Sequence, residues 1–384
     1  MIIGFDAKRA FHNQTGLGHY SRTLISSLAT YYTENEYLLF NPKPGMLFSN
    51  NHLKRVKEIL PSGILSSTFS AAWRSNWIKK DLKKYKVDIF HGLSHELPVN
   101  LHRTKIRSVV TIHDLIHERY PHQYPAIDRY IYSKKFKYAC NYADVIIAIS
   151  EQTKQDIIDF YNIDASKIKV CYQSCNELFG NTVSASEKQR IKELYNLPDD
   201  YFLYVGSLIE RKNLLGICKA IQNLKNKLNI PLVVIGKGGA YKQLVKQYIK
   251  EHHIENQIIF LSDTAGIKSN QGFISTNDFP AIYQQAIAMI YPSFFEGFGI
   301  PVLEALWSRL PVITSSVSCL PEAGGPGAFY VNPQVPEEIA DQMIRIVSDK
   351  ELVQLQVEKG WQYAQQFSTF HTASKVIEVY KTVL

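Results

Sequence analysis

Residues 291–306 read Tyr-Pro-Ser-Phe-Phe-Glu-Gly-Phe-Gly-Ile-Pro-Val-Leu-Glu-Ala-Leu. A strand ends at the start of this stretch, a loop with two glycines follows, and Pro301 begins a helix at a first-turn position, where its missing N–H costs nothing. Strand, short turn and helix in this order form the repeating unit of a parallel sheet covered by helices. The stretch therefore predicts an α/β fold.

The same alternation of strand-like and helical segments runs along the chain. The strand-like runs of the first half are residues 1–5, 37–40, 87–91, 107–112, 145–149 and 168–171. Those of the second half are residues 201–205, 231–235, 257–261, 286–291, 311–313 and 328–331. A chain of 384 residues is also too long for one ordinary core. Together these features predict two Rossmann-like, doubly wound parallel-sheet domains.

A polar segment that ends in the turn signal Leu-Pro-Asp-Asp at 197–200 separates the two runs. We place the N-terminal domain at 1–180 and the C-terminal domain at 181–367. Residues 368–384 repeat apolar side chains at helical spacing, and we expect this helix to pack back on the first domain. Because parallel sheets bind ligands beyond the carboxyl ends of their strands, we expect the two sheets to face each other across a cleft that holds the site.

Composition and charge narrow the class of protein. Apolar residues make up 45% and charged residues 20%, which argues against a disordered or multi-span membrane protein. The net charge of +8 lies in residues 1–180, which hold 24 Lys and Arg against 16 Asp and Glu. We expect a cytoplasmic chain with a basic first half that attracts phosphates or serves solubility. The five cysteines predict buried, reduced thiols rather than a zinc site.

Two groups of charged residues follow strands of the second half. Arg211 and Lys212 lie close to a helix N-terminus after the turn at Gly206, a setting that favours a diphosphate, although such a pair can also be a solvated surface feature. Glu296 and Glu304 have the spacing to reach the hydroxyls of two sugars, one glycosyl and one ribosyl.

If Glu296 and Glu304 bind the two sugars, the backbone amides of Gly297, Phe298 and Gly299, which lie between the two glutamates, would face a phosphate. The alternative makes Glu304 a helix-dipole residue and the glycines mere turn residues, and it leaves Glu296 unexplained.

The stretch 291–306 resembles the signature of the family 4 retaining glycosyltransferases of the GT-B fold, in which two glutamates flank Gly-Phe-Gly-x-Pro-x-x. Further motifs extend the resemblance over the chain, at residues 15–20, 90–94, 111–115, 149–151 and 205–213. One departure is Ser207, where many members have arginine, so Arg211 must supply the second positive charge. The Arg-Lys-Asn variant and residues 90–94 most resemble bacterial mannosyltransferase-like enzymes of surface polysaccharide assembly.

The resemblance implies a role for each matching residue. Glu296 would contact the transferred sugar, Glu304 the donor ribose, and Arg211 with Lys212 the diphosphate. His113 resembles the active-site histidine of the family, although a histidine that ends a buried strand can also be a core residue. The loop residues Gly16, Gly18 and Gly206, with Gly297, Phe298 and Gly299, would approach the donor.

The resemblance also implies retention of the anomeric configuration during transfer of a hexose to a glycan or polyprenyl-linked acceptor. The departing phosphate would accept the acceptor's proton, with Arg211 and Lys212 stabilising the developing charge. We expect GDP-mannose as donor, with a UDP-sugar as the alternative. We expect neither a metal nor a further cofactor, since no Asp-x-Asp motif occurs.

Other classes remain as alternatives. A sugar-nucleotide epimerase would not call for the glutamate pair, a phosphorylase needs a cofactor lysine that we cannot identify, and an NAD-dependent dehydrogenase needs a third glycine after Gly16-x-Gly18. A non-catalytic protein bound to a membrane or a nucleic acid would leave the second-half motifs unused. We expect no nucleic-acid partner, and the sequence leaves the oligomeric state open.

The basic segment 73–86 predicts a helix with Trp77, Ile78 and Leu82 on its apolar stripe. Lysines at 79, 80, 83, 84 and 86 would project away from that stripe. They either face water or hold the chain peripherally on an anionic inner membrane surface, where a polyprenyl-linked acceptor resides.

Overall fold

The computed structural model describes residues 1–225, 227–264 and 266–384. The chain divides into two compact units, the first formed by Met1–Ser174 with Phe367–Leu384 and the second by Cys175–Gln366. Each unit has its own parallel sheet covered by helices, which confirms the predicted α/β, Rossmann-like fold class. All five cysteines are buried thiols, as predicted.

The first unit contains a seven-stranded parallel sheet in the order β3-β2-β1-β4-β5-β6-β7. Its strands are β1 (Ile2–Asp6), β2 (Glu36–Phe40), β3 (Val56–Ile59), β4 (Ile89–Gly92), β5 (Arg107–Ile112), β6 (Val145–Ala148) and β7 (Ile168–Val170). Its first helices are α1 (Lys8–His12), α2 (Gly16–Tyr31), α3 (Ile64–Thr68), α4 (Ser70–Ala72) and α5 (Ile78–Lys84). They are followed by α6 (Ile116–Arg119), α7 (Ala126–Tyr142) and α8 (Glu151–Tyr161). The strand order reverses beside β1, which pairs with β2 on one side and β4 on the other.

Strand β3 was not predicted from the sequence. It reads Val-Lys-Glu-Ile and lies at the edge of the sheet beside β2. Two of its four residues are charged, and charged side chains are a common feature of edge strands because they discourage further pairing. The short segment therefore lacks the apolar run that marks the buried strands.

The chain begins its second unit at Cys175, so residues 175–180 belong to that unit rather than to the first domain as placed from the sequence. The ring of Phe179 lies 4.9 Å from the ring of Tyr283. In addition, the Ser308 hydroxyl donates to the Phe179 carbonyl at 3.3 Å. These contacts hold the apolar Phe179 in the second unit before the polar segment begins.

The second unit contains a six-stranded parallel sheet in the order β10-β9-β8-β11-β12-β13. Its strands are β8 (Phe202–Val205), β9 (Leu232–Ile235), β10 (Ile258–Phe260), β11 (Ala288–Tyr291), β12 (Val312–Ser315) and β13 (Phe329–Val331). Its helices are α9 (Ala185–Tyr195), α10 (Leu214–Leu224), α11 (Ala240–Glu251), α12 (Gln271–Ile274), α13 (Phe279–Tyr283), α14 (Ile300–Trp307), α15 (Leu320–Gly324), α16 (Pro336–Ser348) and α17 (Lys350–Ala364). The strand order reverses beside β8, which pairs with both β9 and β11.

The last helix, α18 (Thr369–Val383), returns to the first unit. Its residues Val376, Ile377 and Tyr380 join the core that contains Leu24 and Leu28 of α2. Apolar residues at helical spacing thus form one face of α18, and burial of that face is the main force that holds the helix on the unit.

The basic segment before β4 is helical but departs from a regular α-helix. Residues Trp73–Trp77 form a π-helical turn, and α5 follows it. The wider turn changes which residues share a face, so Trp73, rather than the expected Trp77, is buried with Ile78 and Leu82. Trp77 is exposed. Within the described part of the chain, no helix combines the length and apolar character needed to cross a bilayer.

Candidate functional site

The switch point of the second sheet lies between β8 and β11. The loop after β8 contains Gly206, Arg211 and Lys212, and the loop after β11 contains Glu296. In open parallel sheets, the crevice beyond the carboxyl ends of the strands at such a point is the usual ligand site. Gly206, Arg211, Lys212 and Glu296, four of the residues predicted to contact the donor, therefore lie at the position that the topology favours.

A buried ion-pair network joins these loops. Glu296 lies 3.1 Å from Nη1 of Arg211 and 2.8 Å from Nζ of Lys212. The Tyr291 hydroxyl donates to the same carboxylate at 3.0 Å and also accepts a hydrogen bond from Lys212. Glu296 and Arg211 are each only 8% exposed, so the charges interact with little screening by water.

Electrostatics keep the carboxylate of this network ionised. Burial raises the pKa of Glu296, but Lys212 and Arg211 outweigh it and lower that pKa to about 2. Burial also lowers the pKa of Lys212, with Glu296 opposing the change and Arg211 adding to it. An ionised, buried carboxylate can accept hydrogen bonds from hydroxyl groups over the whole physiological pH range.

Asn213 fixes the two loops to each other. Its side-chain amide donates to the carbonyls of Pro292, at 3.1 Å, and Pro333, at 2.7 Å. Its own backbone has a φ of +57°, and its side-chain oxygen caps the start of α10. The Phe294 N–H donates to the carbonyl of Arg211 at 2.8 Å. Hydrogen bonds to the backbone therefore hold the two loops that carry Arg211, Lys212 and Glu296.

Backbone conformation requires one of the predicted glycines, and close packing favours a second. Gly299 has a φ of +112° and caps α14, a conformation that other residues rarely adopt. A Cβ on Gly206 would lie 3.2 Å from the Lys212 side chain. The Cys319 sulfur lies 3.0 Å from the carbonyl oxygen of Glu296 and 3.2 Å from that of Phe298, and these two oxygens share its one S–H donor. That the amides of Gly297, Phe298 and Gly299 face a phosphate stays a prediction.

Glu304 lies on α14 and belongs to a different hydrogen-bond group from Glu296. The Tyr283 hydroxyl donates to Oε2 of Glu304 at 2.8 Å. Burial raises the pKa of Glu304 to about 7, although the Tyr283 hydrogen bond opposes the shift. Glu304 is thus the carboxyl of the predicted site whose charge changes near neutral pH.

His113 follows β5 in the first unit and is held on both sides of its ring. Nε2 lies 2.9 Å from the Leu93 carbonyl and Nδ1 lies 2.9 Å from the side-chain amide of Gln173, which assigns the proton to Nε2. The Tyr20 ring packs edge to face against His113 at 4.6 Å. Burial lowers the pKa of His113 to about 4, so the imidazole is neutral at physiological pH.

The two predicted glycines of the first unit differ in their surroundings. A Cβ on Gly18 would lie 1.9 Å from the Asn13 carbonyl, so only glycine fits there. Among the described atoms, nothing lies within 4 Å of a Cβ placed on Gly16. Both glycines lie in the first turn of α2 rather than in a loop as predicted. Gly16 has open space where a side chain would be, whereas Gly18 packs against the Asn13 carbonyl.

The sequence reasoning did not find several residues of these sites. Tyr291 and Asn213 lay within the quoted motifs but were given no role. In the first unit, Asp6 ends β1 at the switch point and lies 2.5 Å from Arg74, which also lies 2.8 Å from Glu96. The position of Asp6 at the end of the first strand could have indicated a site residue. The contact with Arg74 could not be predicted, because the two residues are far apart in the sequence.

The structure brings Arg211, Lys212 and Glu296 together in one network in the second unit and holds His113, Gly16 and Gly18 in the first. Within the described residues, no cluster of three or more His, Cys, Asp or Glu side chains has the arrangement to hold a metal ion. Metal-independent activity stays a prediction for experiment.

Comparisons with known proteins identify the family of the chain. Residues 16–176 match the model of Glycosyltransferase Family 4, and residues 185–362 match that of Glycosyl transferases group 1. The chain is 28% identical over 401 residues to O-antigen chain mannosyltransferase B of Escherichia coli, with 99% of this chain and 100% of that protein covered.

Two solved structures share the fold. The glycosyltransferase from Rickettsia africae ESF-5 superposes with a TM-score of 0.74 at 19% identity and covers 100% of this chain and 98% of its own. Anabaena Alr3699/HepE, solved in complex with UDP and glucose, superposes with a TM-score of 0.72 at 16% identity, covering 99% of each chain.

The two parallel-sheet units have the fold of the GT-B glycosyltransferases, and both matched models are models of glycosyltransferases. The two matched models together span most of the sequence. The chain belongs to glycosyltransferase family 4, as the motifs had indicated.

Proposed function

We propose that the protein transfers mannose from GDP-mannose, with retention of the anomeric configuration, to a glycan or polyprenyl-linked glycan acceptor in surface polysaccharide synthesis. The observation that carries the proposal is the buried network of Glu296 with Arg211 and Lys212 at the switch point of the second sheet. The full-length likeness to an O-antigen chain mannosyltransferase supports mannose as the transferred sugar.

Each member of the network has a chemical task in this proposal. The guanidinium of Arg211 and the ammonium of Lys212 bind the diphosphate and stabilise the charge that develops on it as the sugar leaves. Glu296 accepts hydrogen bonds from hydroxyls of the transferred sugar. Glu304 binds the donor ribose from α14.

The bond changes balance without a further reactant. The bond between the anomeric carbon and the phosphate oxygen breaks, and the acceptor oxygen forms its bond to that carbon on the same face. The acceptor hydroxyl gives its proton to the departing phosphate. In this proposal His113 is the active-site histidine that the family resemblance implies, and its neutral ring is fixed through both nitrogens by Leu93 and Gln173.

A transfer assay with chemically defined substrates tests this proposal. Purified protein is incubated with a polyprenyl-diphosphate-linked mannosyl acceptor and, separately, GDP-mannose, UDP-glucose, UDP-galactose or ADP-glucose. We expect product with GDP-mannose and an α-mannosyl linkage by NMR, since the donor is α-configured. Transfer from a UDP-sugar alone would overturn the donor assignment, and a β-linked product would overturn retention.

A further inference from the structure

His91 on β4 is buried in the first unit and has a polar partner at each ring nitrogen. Nδ1 lies 2.6 Å from the hydroxyl of Tyr380 on α18, and Nε2 lies 2.8 Å from the hydroxyl of Thr111 on β5. Burial lowers the pKa of His91 to about 3, so the ring is neutral at physiological pH. A neutral imidazole has one donor and one acceptor nitrogen, and it therefore links the two hydroxyls without carrying charge.

The hydrogen bonds continue from Thr111 towards His113. The Thr111 hydroxyl lies 3.0 Å from the hydroxyl of Tyr20, and the Tyr20 ring packs edge to face against the His113 ring at 4.6 Å. All of these side chains are buried. We call Tyr380, His91, Thr111 and Tyr20 the α18 chain, because it connects the last helix to the surroundings of His113.

Helix α18 also holds the segment that carries a second support of His113. The Thr372 hydroxyl donates to the Tyr172 carbonyl at 3.2 Å, and the Tyr172 ring packs edge to face on the Phe367 ring at 5.4 Å. Tyr172 directly precedes Gln173, whose side-chain amide lies 2.9 Å from Nδ1 of His113. The last helix therefore reaches the neighbourhood of the same histidine by two separate routes.

Apolar burial already attaches α18 to the unit, since Val376 and Ile377 lie in the core with Leu24 and Leu28. Buried hydroxyls and imidazoles add little net stability, because each loses its hydrogen bonds to water on burial. A connected polar chain instead holds its members in one arrangement. The hydrogen bonds of Tyr380 therefore indicate a role in orientation rather than in attachment of the helix.

We propose that Tyr380 and Thr372 of α18 are positioning residues for His113. Tyr380 acts through the α18 chain on the Tyr20 ring, and Thr372 acts through the backbone next to Gln173. Together they keep the imidazole of His113 in one tautomer and one orientation. The proposal rests on the proposed function in one respect, because it takes His113 as the active-site histidine.

Positioning has a kinetic signature that distinguishes it from a role in donor binding. Tyr380→Phe and Thr372→Val each remove one hydroxyl and keep the rest of the side chain. Each should lower kcat for mannose transfer about three- to tenfold, the size of one neutral hydrogen bond. The KM for GDP-mannose should stay within about twofold of wild type, because an interaction that matters mainly in the transition state affects kcat.

Two matched variants control for the loss of a hydroxyl on or beside α18. The Tyr31 hydroxyl lies 3.1 Å from Oγ1 of Thr369, so it also links α2 to α18 but lies outside the α18 chain. The Thr382 hydroxyl donates within the helix, to the Val379 carbonyl at 2.7 Å. Tyr31→Phe and Thr382→Val should both transfer mannose at the wild-type rate.

A double-mutant cycle shows whether Tyr380 acts through His113. The rates of wild type, Tyr380→Phe, His113→Ala and the double variant are compared on folded protein. We expect Tyr380→Phe to lower the rate in the wild-type background and to have no further effect once His113 is replaced. Additive losses in the double variant would overturn action through His113.

NMR of the full chain with isotope-labelled histidine measures the position of the ring without an activity assay. The His113 signals are assigned by their loss in His113→Gln. We expect a single Nε2–H tautomer in wild type, a mixture of tautomers or broadened signals in Tyr380→Phe and Thr372→Val, and wild-type signals in Tyr31→Phe. If Tyr380→Phe does not fold, Thr372→Val carries the test.

The outcomes separate positioning from the proposed function. Unchanged His113 signals in the folded α18 variants would overturn the proposal, and so would a lower melting temperature with an unchanged rate per folded molecule. If wild type transfers no mannose, the proposed function fails. The NMR comparison of Tyr380→Phe with Tyr31→Phe then still decides whether α18 fixes the ring of His113.

Discussion

The ammonium group of Lys212 lies 2.8 Å from Oε1 of Glu296, although the two residues are 84 positions apart in the chain. The parallel sheet explains this proximity, because β8 and β11 are neighbours and their loops leave the same edge. The pairing joins the predicted phosphate-binding segment to the predicted sugar-binding segment. A change in either partner should therefore affect both donor binding and transfer.

We predict that Glu296→Ala and Lys212→Ala each abolish detectable mannose transfer. Removing one preorganised charge or hydrogen-bond partner from an active site costs roughly 10²–10³-fold in rate. The measurement is the initial rate of product formation, with circular dichroism to confirm that each variant is folded. Unchanged turnover in both folded variants would remove the site assignment.

Two further variants sharpen this test. Glu296→Gln keeps the size of the side chain and removes its charge, so the rate should still fall sharply while the fold is retained. Arg309→Ala breaks an ion pair with Glu358 in which both side chains are about half exposed, 49% and 47%, and transfer should stay at the wild-type rate.

Glu304 should make donor binding depend on pH. Its pKa is raised to about 7 by burial, and an ionised carboxylate is the better acceptor for ribose hydroxyls. A ligand that prefers the ionised form releases a proton on binding, so affinity for GDP-mannose should rise from about pH 6 to about pH 8. Titration calorimetry in buffers of different ionisation enthalpy measures both the affinity and the proton release.

Glu304→Gln is the control for this pH effect, because its amide has no charge to titrate. The affinity of this variant should be nearly constant over the same range, and proton release should be lost. His113 does not interfere, since its pKa of about 4 keeps it neutral throughout. A wild-type affinity that falls with rising pH would contradict the proposed role of Glu304.

His113→Ala should reduce the transfer rate by roughly a hundredfold or more, because the change removes a fixed polar group from a site that depends on preorganised hydrogen bonds. Thermal unfolding is measured on the same sample. If the melting temperature falls while the folded fraction keeps its activity, His113 is a core residue. Gln173→Leu removes the partner of Nδ1 and should lower the rate less than His113→Ala.

Transfer should not require a divalent metal. In the proposed chemistry, Arg211 and Lys212 provide the positive charge at the diphosphate. We expect the rate to be the same after dialysis against EDTA as after addition of MgCl₂ or MnCl₂. A rate that vanishes in EDTA and returns with one of these metals would contradict this expectation.

Sequence patterns predicted the two sheets because most strands are buried on both faces and are therefore continuous apolar runs. They also singled out Arg211, Lys212 and Glu296, since these residues follow strands and match a specific motif. The structure brings the three together, and their roles in binding and transfer stay predictions. Strand β3 was missed because its charged residues interrupt the apolar run that marks a buried strand. The exposure of Trp77 was missed because a π-helical turn leaves no periodic signal in the sequence.

The remaining features depend on contacts between distant residues. The pairing of Asp6 with Arg74 and the attachment of His113 to Gln173 join segments 68 and 60 residues apart. The pKa of Glu304 depends on burial, which the spacing of charged residues does not reveal.

The central claim is that Arg211 and Lys212 bind the diphosphate of the donor at the switch point of the second sheet. Calorimetric titration of GDP-mannose into wild type, Lys212→Ala, Arg211→Ala and the control Arg309→Ala tests it most directly. We predict that each of the first two variants binds about 10- to 100-fold more weakly than wild type, the cost of a lost charge-assisted hydrogen bond, while the control binds like wild type. Equal affinity of wild type and both folded site variants for GDP-mannose would contradict the claim.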